Sequence, residues 1–198
     1  MEQFYIILTG LMSMVLINNF VFTKFLGTCP YLGVSGKIDS AFGMGMAVTF
    51  VTALSGTLTW MVDHWILMPY GLEITRYICY ILVIAGAVQL VEMYVRKFFP
   101  ALYDVFGIFL PLISTNCVIL GICLYMCPVF WNIDNLLEAV VLSTGAGLGF
   151  ALAICIMAGI REDLVLADVS EAFEGAPITL ITAGILTLAF MGFAGMIK

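Results

Sequence analysis

Charged side chains are scarce in this chain. Among 198 residues there are 7 Lys or Arg and 13 Asp or Glu. Charged residues thus make up 10% of the chain, against about 25% in ordinary globular domains, while 63% is hydrophobic with a mean hydropathy of +1.15. This balance excludes a soluble domain. The few basic residues form no patch for nucleic acid, and we find neither a glycine-rich nucleotide loop nor a Ser/His/Asp arrangement. The composition predicts an integral membrane protein.

Largely uncharged stretches divide the chain into six predicted helical spans. A bilayer core of about 30 Å requires roughly 20 helical residues. Stretches of that size cover residues 3–27, 41–67, 74–95, 101–126, 136–159 and 176–197. Pro30 and the Gly33–Gly36 region are predicted to close the first span, and the charged run of residues 161–174 separates the last two. We therefore expect an all-α integral membrane protein with a single transmembrane domain of six helices.

Basic residues predict the orientation, because Lys and Arg are enriched in cytoplasmic loops. The first, third and fifth loops or their flanks carry five of them: Lys24, Lys37, Arg96, Lys97 and Arg161. The opposite side carries two, Arg76 and Lys198. We therefore expect those three loops in the cytoplasm and both termini outside.

Two cysteine segments resemble each other. The segments "FLGTCPYLG" and "STNCVILG" share the pattern C-x-x-L-G at Cys29 and Cys117. Each is followed by a span that opens with closely spaced glycines, at residues 42–50 and 144–152. Because each half has an odd number of spans, the second half must enter the membrane from the other side. We expect two inverted three-helix repeats, about residues 1–97 and 98–198, with interrupted first and fourth helices near the midplane.

The predicted interruptions are marked by polar residues. In the first span, Asn18, Asn19, Thr23 and Lys24 precede the segment Gly27-Thr28-Cys29-Pro30, and in the fourth span Pro111 precedes Ser114-Thr115-Asn116-Cys117. Polar groups in a bilayer are expected to face the bundle interior or a partner. At a broken helix, free backbone N–H groups also stabilise negative charge on sulfur.

Three interpretations of Cys29 and Cys117 are open: apolar packing, a disulfide between them, or metal ligation. Their matching positions favour ligation. Two thiolates are half of the four-cysteine set of a two-iron cluster, which predicts that a second, similar chain supplies the other two. The remaining cysteines are predicted to be packing residues: Cys79, Cys123, Cys127 and Cys155.

Glu92 is an ionisable residue near membrane depth in the third span. It lies four residues before Arg96, which favours a surface ion pair, with a role in an ion pathway as the alternative. The neighbouring residues Asp63 and His64 are predicted to be solvated at the membrane interface.

Three segments carry a resemblance to a known family. "NNFVFTKFLGTCPYLGVS", "VRKFFPALYDVFGIFLPLISTNC" and "ITAGILTLAFMGFAG" resemble the A subunits of Rnf complexes, which are ion-translocating ferredoxin:NAD⁺ oxidoreductases of bacterial membranes. The similarity covers essentially the whole chain. The E component of the sodium-pumping NADH:quinone reductase is a similar relative with the same architecture.

The resemblance implies that Cys29 and Cys117 hold half of an intramembrane [2Fe–2S] cluster. The homologous Rnf E subunit, in the opposite orientation, would supply the other two ligands. We expect the surroundings of the cluster to include Lys24, Gly27, Thr28, Thr115 and Asn116. Lys24 either offsets the charge of the cluster or simply extends to the interface.

The resemblance also implies partners and a function. The partners are the Rnf B, C, D and G subunits in the inner membrane of a bacterial cell, and the activity is an electron relay coupled to Na⁺ or H⁺ transport. The chain would be one component of a redox-driven translocase, without a complete active site of its own. The alternatives are the E component of the sodium-translocating quinone reductase, a secondary transporter with inverted repeats, or a structural anchor for redox subunits.

Overall fold

A computed structural model describes residues 2–71, 74–98, 112–113, 115–126, 135–167 and 173–192. Within these ranges, all regular secondary structure is helical. Three helices are long and apolar enough to cross a membrane, Ile38–Leu67, Arg76–Tyr94 and Leu136–Val165, and two shorter apolar helices cover Leu8–Ile17 and Ala176–Met191. The predicted all-α membrane class is confirmed. The predicted span of residues 101–126 lies largely outside the described residues, and the six-span inverted repeat stays a prediction.

The first predicted span is a series of short helices. Helix α1 (Glu2–Met12) continues into a π-helical turn (Ser13–Ile17), and is followed by α2 (Phe20–Lys24) and α3 (Thr28–Val34). The breaks fall at Asn18 and at Phe25 and Gly27, the last two with left-handed φ angles of 53° and 74°. The interruption of this helix is therefore observed.

The expectation that Pro30 closes the first span is wrong. Pro30 lies in the first turn of α3. Proline fits there, since the first N–H groups of a helix have no helical acceptor to lose. The helix ends at Val34, within the Gly33–Gly36 region that the sequence also predicts to close the span.

The long helices extend further than the predicted spans. Helix α4 (Ile38–Val62) runs on through a π-helical turn (Asp63–Leu67) into the short α5 (Met68–Tyr70). Helix α6 covers Arg76–Phe98, so that Arg96 and Lys97 lie in its last turn rather than in a loop. The second interruption precedes α7 (Cys117–Tyr125), and α8 (Leu136–Val165) includes the start of the charged run, followed by α9 (Ala176–Met191).

Helices α4 and α8 form a close antiparallel pair. A Cβ atom added to Gly45 would lie 2.8 Å from Cβ of Ala151, and one added to Gly147 would lie 2.6 Å from Cα of Thr49. The residue numbers of the two contacts run in opposite directions, which makes the pair antiparallel. Glycine lets the two backbones approach closely, as in other membrane helix pairs. The two glycine-spaced segments of the sequence therefore pack against each other.

The two interrupted segments lie on this central pair. Helix α1 and its π-helical turn contact α8, where Gly145 faces Met14. Helix α7 contacts α4 and also α6. Each broken segment thus packs on the central helix from the other half of the chain, and this arrangement positions both cysteine segments.

Candidate cofactor site at the two broken helices

Asn19 caps the helix that follows the first break. Its Oδ1 accepts a hydrogen bond from the backbone N–H of Val21 at 3.0 Å. Its Nδ2 donates to the carbonyl oxygens of Gly149 at 2.8 Å and Val15 at 3.1 Å. One buried side chain therefore satisfies three backbone groups and ties the break to α8.

Asn116 repeats this cap before α7. Its φ and ψ angles are −72° and 117°, against −64° and 116° at Asn19. Its Oδ1 accepts from the N–H of Val118 at 3.1 Å. Among the described residues, the buried Nδ2 of Asn116 has no hydrogen-bond partner. The two caps have the same backbone geometry but differ in what their amide nitrogens bind.

Cys29 and Cys117 both lie at the start of a helix. Cys29 is the second residue of α3, and Cys117 is the first residue of α7. Both are exposed. First-turn N–H groups lack helical acceptors and favour negative charge, so both positions suit a thiolate. Relative to the asparagine caps the two differ, however: Cys117 directly follows Asn116, whereas Cys29 comes a whole short helix after Asn19.

The two breaks pack against each other at Gly27. A Cβ atom on this left-handed glycine would lie 2.6 Å from Cγ2 of Val118 and 3.0 Å from Oδ1 of Asn116. From the other side, a Cβ atom on Gly121 would lie 2.7 Å from Cδ1 of Leu26. Gly27 lies two positions before Cys29 along the chain, and Cys117 lies between Asn116 and Val118. The start of α3 and the start of α7 therefore come together.

Other predicted site residues lie around this contact. The hydroxyl of Thr28 donates to the carbonyl of Phe25 at 2.7 Å, and Thr115 is exposed beside Asn116. Lys24 is exposed, with Nζ 5.6 Å from the ring centroid of Tyr125 at the end of α7, a distance that allows a cation–π interaction. Lys24 thus joins the two broken segments a second time.

The structure describes three of the four remaining cysteines, and Glu92. Cys123 is buried, while Cys79 and Cys155 are half-buried, and Cys127 lies outside the described residues together with Pro111 and Ser114. Glu92 lies half-buried on α6 and does not take part in the contact between the two breaks.

Arg161 contacts the helix that carries Cys29, although in the sequence it indicated only the orientation of the chain in the membrane. Its Nη1 donates to the carbonyl of Leu32 and to Oγ of Ser35, both at 2.9 Å. These acceptors lie at the far end of the helix that carries Cys29. The sequence signal was weak, because the contact joins residues more than a hundred positions apart.

The arrangement offers two thiolate ligands but not a complete metal site. In the part of the chain that the structure describes, no group of three or more His, Cys, Asp or Glu side chains is placed to hold a metal ion. A four-cysteine centre would need two further ligands. The exposure of both thiols leaves room for another chain to provide them.

The whole chain is similar to known membrane proteins. Residues 7–197 match the family described as "Rnf-Nqr subunit, membrane protein". The chain is 48% identical over 201 residues to the A subunit of the ion-translocating oxidoreductase complex from Pseudoalteromonas atlantica, with 100% of both chains covered. It is 50% identical over 200 residues to the protein of that name from Syntrophotalea carbinolica, with 100% of this chain and 99% of the other covered. The resemblance detected in the sequence is confirmed, and the chain belongs to the Rnf-Nqr family of membrane subunits.

Proposed function

We propose that this protein is the A-type membrane subunit of an ion-translocating ferredoxin:NAD⁺ oxidoreductase, and that it holds half of an intramembrane [2Fe–2S] cluster. The contact of Gly27 with Val118 carries the proposal, because it brings Cys29 and Cys117 to neighbouring helix starts with both thiols exposed. The names of these curated relatives, which are oxidoreductase subunits, favour a redox role over that of a secondary transporter.

The residues present fit such a cluster. Cys29 and Cys117 would each supply one thiolate, and the homologous Rnf E subunit would supply two. The cluster provides one-electron redox chemistry when bound. The first-turn N–H groups of α3 and α7 stabilise the thiolates, Lys24 opposes the negative charge, and Gly27, Thr28, Thr115 and Asn116 shape the immediate surroundings.

Electron transfer across a membrane explains why a carrier near the midplane would be useful. A hydrocarbon core of about 30 Å is too wide for one fast tunnelling step, and a carrier near the midplane divides it into two shorter ones. A cluster held by Cys29 and Cys117 would become more negative on reduction, and this added charge would attract Na⁺ or H⁺. Glu92 on α6 is the candidate from this chain for the ion pathway.

The assembly follows from the same proposal. The chain lies in the bacterial inner membrane with both termini outside, beside the Rnf E, B, C, D and G subunits. Reporter fusions after Lys198 and within residues 68–73 should report an outside location, and fusions near Lys37 and within 161–175 a cytoplasmic one. A cytoplasmic C-terminus would contradict this orientation.

The cluster is tested in the purified, intact complex. Iron, acid-labile sulfide and the electron paramagnetic resonance spectrum should reveal a two-iron centre. Cys29→Ser and Cys117→Ser should each abolish that centre and transmembrane electron transfer while the protein still inserts. The matched controls Cys123→Ser and Cys155→Ser should retain both. A full signal from this centre in the Cys29/Cys117 double variant would refute the proposal.

A further inference from the structure

The helix that carries Cys29 is too short to hold its own orientation. Helix α3 has 7 residues, whereas isolated helices below about 12 residues are marginal in water. The direction of the Cys29 side chain therefore depends on the packing of the buried residues Pro30, Tyr31 and Val34 and on what holds the two ends of α3. The first end is fixed where Gly27 packs on Val118.

Arg161 holds the second end. Its Nη1 donates at 2.9 Å both to the carbonyl of Leu32 and to the hydroxyl of Ser35, which is fully buried. The carbonyls of a helix's last turn lack helical donors, and a positive charge there complements the helix dipole. Hydrogen bonds from a guanidinium are also stronger than neutral ones. These contacts join α8 to the end of α3.

The next residue of α8, Glu162, holds the start of α4, which follows α3 after residues 35–37. Its Oε1 accepts from the backbone N–H of Ile38, the first residue of α4, at 2.9 Å. The residue at the N-cap position, Lys37, provides no side-chain cap. Arg161 and Glu162 therefore hold the end of α3 and the start of α4, respectively. The end of α3 is in this way linked to α8.

We propose that Arg161 is a positioning residue for Cys29, an inference that rests on the proposed function for the role of this thiolate. Leu32 lies three residues after Cys29, or about 4.5 Å along the helix axis. If Arg161 releases Leu32 and Ser35, the last turn of α3 loses its polar contacts with α8 and keeps only apolar ones, such as that of Tyr31 with Phe22. The Cys29 thiolate then changes direction. Cys117 lies on a different helix, and its position does not depend on Arg161.

The test is Arg161→Gln in the complete complex. We expect the protein to assemble, with a changed midpoint potential and resonance spectrum of the cluster. Lys37→Gln removes one exposed positive charge from the neighbouring turn and is the matched control, with both properties unchanged. Arg161→Lys keeps the charge and should restore the wild-type values in part. An unchanged potential and spectrum in Arg161→Gln would overturn the proposal.

A second measurement does not need the cluster. After iron is removed by a chelator under reducing conditions, iodoacetamide labelling is followed by mass spectrometry at each cysteine. We expect Arg161→Gln to change the labelling rate of Cys29 several-fold while that of Cys117 stays constant. Equal changes at both cysteines would indicate general loosening and would overturn the proposal.

The two measurements separate failure of this proposal from failure of the proposed function. Absence of iron from the wild-type complex refutes the cluster, yet the labelling ratio still decides whether Arg161 positions Cys29. If Arg161→Gln does not assemble, Ser35→Ala takes its place, since it removes one acceptor and keeps the charge. It should change the Cys29 rate in the same direction by a smaller factor, and a constant ratio would count against Arg161.

Discussion

The amide nitrogen of Asn19 lies 2.8 Å from the carbonyl oxygen of Gly149, whereas the corresponding nitrogen of Asn116 has no partner within the described residues. Both asparagines cap a broken helix with nearly the same backbone angles. The first therefore joins its break to α8, and the second acts through its cap and its packing against Gly27.

The two asparagines should respond differently to the same substitution. Serine keeps an oxygen that can cap the helix but removes the amide nitrogen. Asn19→Ser loses the two hydrogen bonds that Nδ2 donates. Asn116→Ser loses no such bond within the described residues, because Nδ2 of Asn116 has no partner there. We expect Asn19→Ser to be the more destabilising by about 1–2 kcal/mol, at about 1 kcal/mol per hydrogen bond. Thermal unfolding of the two purified variants measures the difference, and equal losses would contradict it.

Gly27→Ala should separate the two broken segments. Alanine at a φ of 74° is strained, and its Cβ would lie 2.6 Å from Cγ2 of Val118. We expect a loss of about 2–6 kcal/mol, since overpacking and a left-handed backbone each cost about 1–3 kcal/mol. The cluster content should fall as well.

Gly33→Ala is the matched control for Gly27→Ala. Gly33 lies in the same segment, and a Cβ atom there would meet nothing within 4 Å. Its stability and cluster content should stay close to those of the wild type. Adding Val118→Ala to Gly27→Ala should recover the part of the loss that is due to the clash, and not the part due to backbone strain. No recovery would show that the contact with Val118 is unimportant.

Lys24→Met tests whether this cation acts on the proposed cluster. Lys24 lies beside Tyr125 at the end of α7, close in sequence to the first break. Removing its positive charge should disfavour the more negative, reduced state, so we expect a lower midpoint potential. Lys37→Met, another exposed cation, should leave the potential unchanged. A potential that is unaffected by Lys24→Met would assign this residue to the membrane interface alone.

The ion pair of Asp63 and Arg76 should be important for stability. Arg76 Nε lies 3.0 Å from Asp63 Oδ1, and both residues are buried. Removing one partner of a buried pair leaves an uncompensated charge, which costs about 3–5 kcal/mol. Asp63→Asn and Arg76→Gln should therefore each lower the unfolding temperature markedly, and the double variant should be more stable than either single one. The exposed Asp163→Asn serves as the control, and additive losses would contradict this pairing.

Much of the class and part of the site could be predicted from the sequence. The scarcity of charge indicated a membrane protein of helices, and the polar residues before Cys29 and Cys117 indicated interrupted segments. These are local properties of the chain, so they can be recognised without knowledge of the fold. The family resemblance, carried by the same segments, was confirmed by the comparisons.

Some local signals were misleading. Pro30 indicated the end of a helix, but a proline is equally compatible with a first turn, and only the left-handed Gly27 before it decides between these outcomes. Asp63 was predicted to be solvated at the interface, whereas Arg76 pairs with it in the interior. The shared C-x-x-L-G pattern suggested equivalent cysteines, yet Cys117 directly follows its asparagine cap, whereas a short helix separates Cys29 from Asn19.

By itself, the sequence determined the helical membrane class and the presence of interrupted segments before Cys29 and Cys117, because hydropathy and backbone preferences depend on neighbouring residues. The tertiary structure decided that Gly27 packs on Val118 and that Arg161 holds the end of the Cys29 helix. Such contacts join residues about a hundred positions apart. Their geometry follows from how α4 and α8 pack, since short helices such as α3 take their orientation from the surfaces that hold them.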